Sequence, residues 1–135
     1  MRISTVNIDR PSAPQIVTIE FIRGQSPDEN PDLSFLTQDY AGETKFNRLK
    51  AKAADQRRLQ SYRNEEWYMR GLWVEARIAV PIGQGSFSLY ELRSPGLWNV
   101  ESDCGADYEK QVWDEQETEL RAALKAMAPA FAALT

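Results

Sequence analysis

Residues 72–80 read LWVEARIAV, and the alternation is regular enough to fix the kind of structure around it. Val74, Ala76, Ile78 and Val80 fall on one side and Trp73, Glu75, Arg77 and Ala79 on the other, which is the period of a half-buried strand. Pro81 is expected to end it, because proline cannot donate to a central ladder. Gly83-Gln84-Gly85 follows with the backbone freedom a reversal needs, and Ser86–Arg93 reads as the returning strand. A β-hairpin over 72–93 calls for an antiparallel sheet with one apolar face to be covered.

The rest of the chain supplies another strand and the cover. Residues 15–23, QIVTIEFIR, alternate with Val17, Ile19 and Phe21 on one face and Ile16, Thr18, Glu20 and Ile22 on the other. Pro11 and Pro14 keep residues 1–14 extended. Residues 24–42 carry Gly24, Pro27, Pro31 and Gly42 and read as a long loop, with Leu33, Phe35, Leu36 and Tyr40 either plugging a core edge or meeting a partner. From Lys45 to about Trp67 the composition is helical, with Phe46, Leu49, Ala53, Gln56, Leu59 or Gln60, and Tyr62 as an apolar stripe. Residues 97–100, LWNV, form a short apolar run. Ser102 or Asp103 is expected to cap a final helix from about Ala106 to Met127, with Tyr108, Val112, Gln116, Leu120 and Leu124 at successive i+4 steps and Trp113, Ala123 and Met127 widening the stripe. Pro129 should stop it, and Phe131 and Leu134 either pack back or fray. The expected fold is one α+β domain over residues 1–135, a small antiparallel sheet of about three strands with two main helices packed on one face.

With 135 residues, folding hides roughly two-thirds of the unfolded chain's surface, so a core without covalent staples is feasible. The chain has no His and one Cys. That removes Ser-His-Asp triads, Cys-His pairs, a structural zinc set and an intramolecular disulfide. No GxxxxGK[ST] or GxGxxG loop is present. No apolar run approaches the length of a membrane span, and residues 1–10 show no apolar core of a signal peptide. A cytoplasmic protein without enzymatic activity and without a cofactor is therefore expected. Cys104, at a helix start that could lower its pKa, has no base nearby in sequence and is a weak candidate for a nucleophile.

Charge is unevenly distributed. Residues 45–63 hold seven Lys and Arg against Asp55, whereas residues 101–119 hold eight carboxylates against Lys110. The carboxylates are Glu101, Asp103, Asp107, Glu109, Asp114, Glu115, Glu117 and Glu119. They read as a solvated face, turned toward the basic helix or not, as a surface offered to a basic partner, or, for Glu101, Asp103 and Asp107, as a Mg²⁺ site. Reversing Glu109, Glu115 and Glu119 to Lys is expected to leave the fold intact. The basic helix is a solvated face with aliphatic stems on the core, or a phosphate-binding one through Lys45, Arg48, Lys52, Arg57 and Arg58. The net charge of −4 opposes binding to a polyanion. Trp67, Trp98 and Trp113 are assigned to packing, and Trp73, on the open strand face, to partner contact.

The stretches QRRLQSYRNEEWYMRGLWVEARIAV, LRSPGLWNVESDCGADYEKQV and EQETELRAALKAM resemble an uncharacterised group of small proteins carried by bacteriophages, prophages and other mobile elements. The shared pattern is a Trp-containing helix end, an EA strand, then GLW, ES and D ahead of an acidic helix. It covers roughly residues 39–127 and leaves out the N-terminal strand. The PIGQGSFSLY hairpin reads as an insertion. The group brings no activity, so no catalytic residue is carried over. What the resemblance implies is an accessory protein of a mobile element, a setting in which many proteins block host defences such as CRISPR–Cas by occupying effector surfaces. The expected function is inhibition of such a nucleic-acid-directed complex by steric or charge occlusion. Trp73 and the eight carboxylates would meet a basic nucleic-acid-binding surface on a host protein or ribonucleoprotein. The alternative is a direct nucleic-acid binder using the 45–63 helix, and a carboxylate-and-metal enzyme comes last.

Overall fold

In a computed structural model, which describes residues 2–8 and 15–127, the first strand of the hairpin lies inside a larger sheet and the second at its edge. In chain order the elements are β1 (Arg2–Ile8), β2 (Gln15–Pro27), a 3-10 turn (Ser34–Leu36), α1 (Lys45–Arg63), β3 (Met69–Gly83), β4 (Ser86–Arg93), β5 (Leu97–Glu101) and α2 (Ala106–Met127). The fold is α+β, with every strand pair antiparallel. The sheet runs β1-β2-β3-β4, and β5 pairs with the first residues of β3. It is wider than the three strands expected. Residues 2–8 of the segment expected to be merely extended pair with β2, and the LWNV run becomes β5. The expected packing of the tail through Phe131 and Leu134, and the stop at Pro129, lie outside the described residues.

Two other boundaries move. β2 continues through Gly24 to Pro27, so the long loop begins later than expected, because β3 extends far enough to keep pairing it down to Arg70. β3 passes through Pro81 instead of stopping there. A register shift against β4 between Pro81 and Gly83 accompanies the proline.

The face predicted from alternation is the buried one. Val17, Ile19 and Phe21 of β2 and Val74, Ala76 and Ile78 of β3 pack with Leu120 and Leu124 of α2. Val112 of α2 joins Leu72 and Val100. The i+4 stripe holds from Val112 to Leu124, while Tyr108 and Met127 are exposed. Gln116 is buried within it because its Oε1 accepts from Gly96 N at 2.7 Å.

The stripe of α1 behaves differently. No residue of α1 is buried, and Phe46 and Leu49 stand in solvent. Only its second half docks: Leu59 and Tyr62 pack on a separate cluster of Leu36, Trp67 and Met69 at the start of β3. Thr44 caps the N-terminus, its hydroxyl accepting from Asn47 N at 3.2 Å. The helix stops at Arg63, short of Trp67, because Glu65 takes a left-handed conformation (φ 61°) and turns the chain back. The Trp67 indole then donates to the carbonyl of Arg58 at 3.1 Å.

Candidate partner-binding surface

The sheet face away from α2 is covered at Met69 by the 3-10 turn and by Leu59 and Tyr62 of α1, and the residues that follow on that face are given by the alternation. Opposite Val74 and Leu72 lie Trp73 and Gly71, paired across the ladder with Gly24 and Ser26 of β2. A Cβ on Gly24 would come within 2.3 Å of the Trp73 ring, and one on Gly71 within 2.4 Å of the Trp98 ring. Both indoles therefore lie down on bare backbone. They form a plate with centroids 6.1 Å apart and planes 26° apart. The Arg93 guanidinium sits 3.8 Å above the Trp73 ring, a cation–π contact. Trp98 keeps 46 % of its surface exposed.

Local chemistry fixes Trp98 there. β5 carries one extra residue against β3 between Arg70 and Leu72, and Asn99, at φ 63°, occupies the bulge. Its amide clamps the loop after β2: Asn99 Nδ2 donates to Asp32 O at 3.0 Å, and Asp32 N donates to Asn99 Oδ1 at 2.9 Å. Asp28 is held in turn, its backbone N donating to Met69 O and its carboxylate accepting from Asn30 N and Asn99 N. The rim of the plate is thus built from the loop that looked longest and least structured.

Trp73 lies on the open face, as its strand parity required. Trp98 was assigned to packing and stands beside it instead. The signal that could have found it is the glycine in each neighbouring strand, Gly24 and Gly71, at positions where a strand interior gains nothing from glycine unless something approaches closely.

The acidic set is divided by its partners. Glu101 and Asp103 both turn to Arg58 of α1, Asp103 in a two-nitrogen contact at 2.6 and 2.7 Å. Glu109 pairs with the buried Arg70. Asp114 takes Arg23 at 3.0 Å and Lys110 at 2.7 Å, and Glu117 takes Arg121 at 3.2 Å. Asp107, Glu115 and Glu119 are exposed with no ion pair among the described residues. Hence Glu109 does not belong with Glu115 and Glu119: reversing all three strikes a buried cation, and the expected intact fold does not follow. Neither expected cap serves α2. Asp103 is taken by Arg58, and Ser102 pairs with Tyr68, its hydroxyl accepting from Tyr68 N at 2.9 Å. Among the described residues no three His, Cys, Asp or Glu side chains are grouped to hold a metal ion, and Arg58 occupies two of the three carboxylates considered for Mg²⁺.

The basic set is likewise reduced. Arg58 is spent on Glu101 and Asp103 and lies 3.8 Å from the Trp67 ring; Lys52 is 3.6 Å from Asp39. Lys45 and Arg57 are exposed, and Arg48 is half-buried. The hydrogen bond from Arg58 holds the Asp103 carboxyl below its ordinary value of 3.8, and the same contact raises the Arg58 guanidinium. The stabilisation this clamp gives is complete above pH 3.8 and is lost as pH falls through the lower, folded value. Acid titration followed by the near-ultraviolet signal of Trp67 should show α1 loosening below pH 3.8, and Asp103→Asn should abolish that step.

No helix of the described residues is long and apolar enough to cross a membrane. No family model, curated protein or solved structure matches the chain.

Proposed function

We propose that the chain is a non-enzymatic binding protein that docks a protein partner on the open sheet face around Trp73 and Trp98. The observation that carries this reading is the plate itself: two indoles laid flat on glycine backbone, one of them half exposed, with a rim pinned by Asn99. Exposed tryptophan held rigid beside an arginine is the composition of binding hot spots, where a few large side chains supply most of the affinity. Half-buried Asp28 and exposed Glu29 beside Trp98 favour a partner with a basic surface, and exposed Asp107, Glu115 and Glu119 on α2 add negative charge on the other side of the sheet. The resemblance to mobile-element accessory proteins supports a bacterial nucleic-acid-directed defence complex as that partner, blocked by occupation of its basic channel. Direct nucleic-acid binding is less favoured, because Asp28 and Glu29 flank the aromatic surface and Arg58 is already paired.

Capture from a bacterial lysate, read by mass spectrometry, identifies the partner. Trp98→Ala and Trp73→Ala should each then weaken it roughly tenfold or more while melting near wild type. Retention of full affinity in both variants would move the contact elsewhere. A gel shift at physiological salt is expected to show no tight binding of DNA or RNA; sub-micromolar binding lost in Arg57→Glu would favour the alternative.

A further inference from the structure

We infer that the outer face of the Trp98 indole, edged by Asp28 and Glu29, is a seat for a cationic side chain of the partner, with an arginine guanidinium as its best occupant. The inference rests on the protein-binding reading above and adds the chemistry the partner must present.

The plate already contains one such contact. Trp73 lies on Gly24 and carries the Arg93 guanidinium 3.8 Å above its ring. Trp98 lies on Gly71 in the same manner, alongside Trp73, but no cation of this chain covers it among the described residues. Beside it opens a cleft of about 410 Å³, lined by Ser26, Pro27, Asp28, Glu29, Asn30 and Trp98. Two of these six residues are carboxylates, and no Lys or Arg is among them.

A tryptophan face attracts a cation through its quadrupole, and a carboxylate at the ring edge adds a direct charge and hydrogen-bond acceptors. A guanidinium satisfies both at once, because its plane can lie on the ring while its N–H groups reach the carboxylate in that plane. An ammonium is more strongly hydrated and gives up more on leaving water. A nucleobase could stack on the ring too, but its phosphates would meet Asp28 and Glu29. The cleft is also set in advance: Asp28 is fixed by Asn30, Asn99 and Met69, so no loop has to order on binding.

The test uses the full chain labelled with ¹⁵N and follows the indole N–H signals, with that of Trp98 identified by its absence in Trp98→Phe. The probes are acetyl-Gly-Arg-Gly-amide, the same tripeptide with citrulline, which keeps the shape of arginine without its charge, and a short oligodeoxythymidylate. The arginine peptide should move the Trp98 signal with weak, saturable binding, and citrulline should bind about fivefold more weakly or worse. Glu29→Gln should weaken the arginine peptide by about threefold and leave citrulline unchanged. An equal response to both peptides overturns the cation seat in favour of plain stacking. No movement of Trp98, or movement caused by the oligonucleotide and not by arginine, also overturns it. If the peptides fail while Trp98→Ala still loses the captured partner, the seat is wrong and the protein-binding reading stands. If Trp98→Ala and Trp73→Ala also capture normally, both fall.

Discussion

Glu109→Ala is expected to cost about 3–5 kcal/mol of folding stability, far more than the loss of any exposed carboxylate of α2. The reason lies in its partner. Arg70 is 4 % exposed, on the face of β3 that α2 covers, and its guanidinium is held by Glu109, by Gln25 at 2.7 Å and by Cys104 Sγ at 3.8 Å. Burial works against the charge, and the contacts to Glu109 and Cys104 outweigh it, leaving the guanidinium above its ordinary value. Removing Glu109 leaves a buried cation with one neutral oxygen and a thiol. Urea unfolding should show the loss as a lower midpoint at unchanged slope. Glu115→Ala should change stability by less than about 0.5 kcal/mol. The double variant Arg70→Met, Glu109→Leu should recover much of the loss, because a well-packed apolar pair can replace a buried ion pair. Equal effects of Glu109→Ala and Glu115→Ala would mean that Arg70 finds water when its partner is gone.

Leu120→Ala is expected to destabilise by about 2–5 kcal/mol. Leu120 is 1 % exposed and meets both central strands through Val17, Ile19, Val74 and Ala76 in one cluster. Truncation leaves a cavity that the sheet cannot close, since its backbone is fixed by ladders on both sides. The comparison that gives this meaning is Leu49→Ala in α1. Leu49 is 58 % exposed and belongs to no cluster, so its truncation should be close to neutral. Thermal melting of the two variants distinguishes a core helix from one whose first half only lies at the surface. Comparable losses would place α1 in the core.

The contrast between the helices marks where the sequence was legible. The period-2 pattern of β2 and β3 and the i+4 run of α2 describe burial against a large neighbour, and pattern alone recovers them. The stripe of α1 has the same form with Phe46 and Leu49 in it, yet no sheet stands opposite, and a stripe does not say whether it has been met. β5 was too short to show a period, so its pairing with β3, and with it the position of Trp98, became visible only in three dimensions. Carboxylates were readable as a group and unreadable as individuals. Glu109 and Glu115 differ by less than two helical turns, but one faces Arg70 and the other water. Trp73 was placed correctly on the open face by parity; the plate it forms required Gly24 and Gly71 to be seen as floors beneath rings.

The pairing of β2 with β3 also bears on how the chain comes together in time. These two strands form the centre of the sheet, yet the whole of residues 28–68 intervenes between them. Bringing the ends of so long an excursion together carries an entropic cost on the order of 3 kcal/mol before any ladder bond repays it. The β3–β4 hairpin closes across Gly83-Gln84-Gly85 and has no such barrier. Assembly is therefore expected to be limited by the arrival of β2 at an early hairpin, with non-local pairing rather than helix formation setting the rate. The same arithmetic makes the excursion tolerant of added length, since doubling it would raise the closure cost by only about 0.6 kcal/mol. A chain built this way can vary the segment that carries Asp28, Glu29 and α1 while its central ladder stays the same.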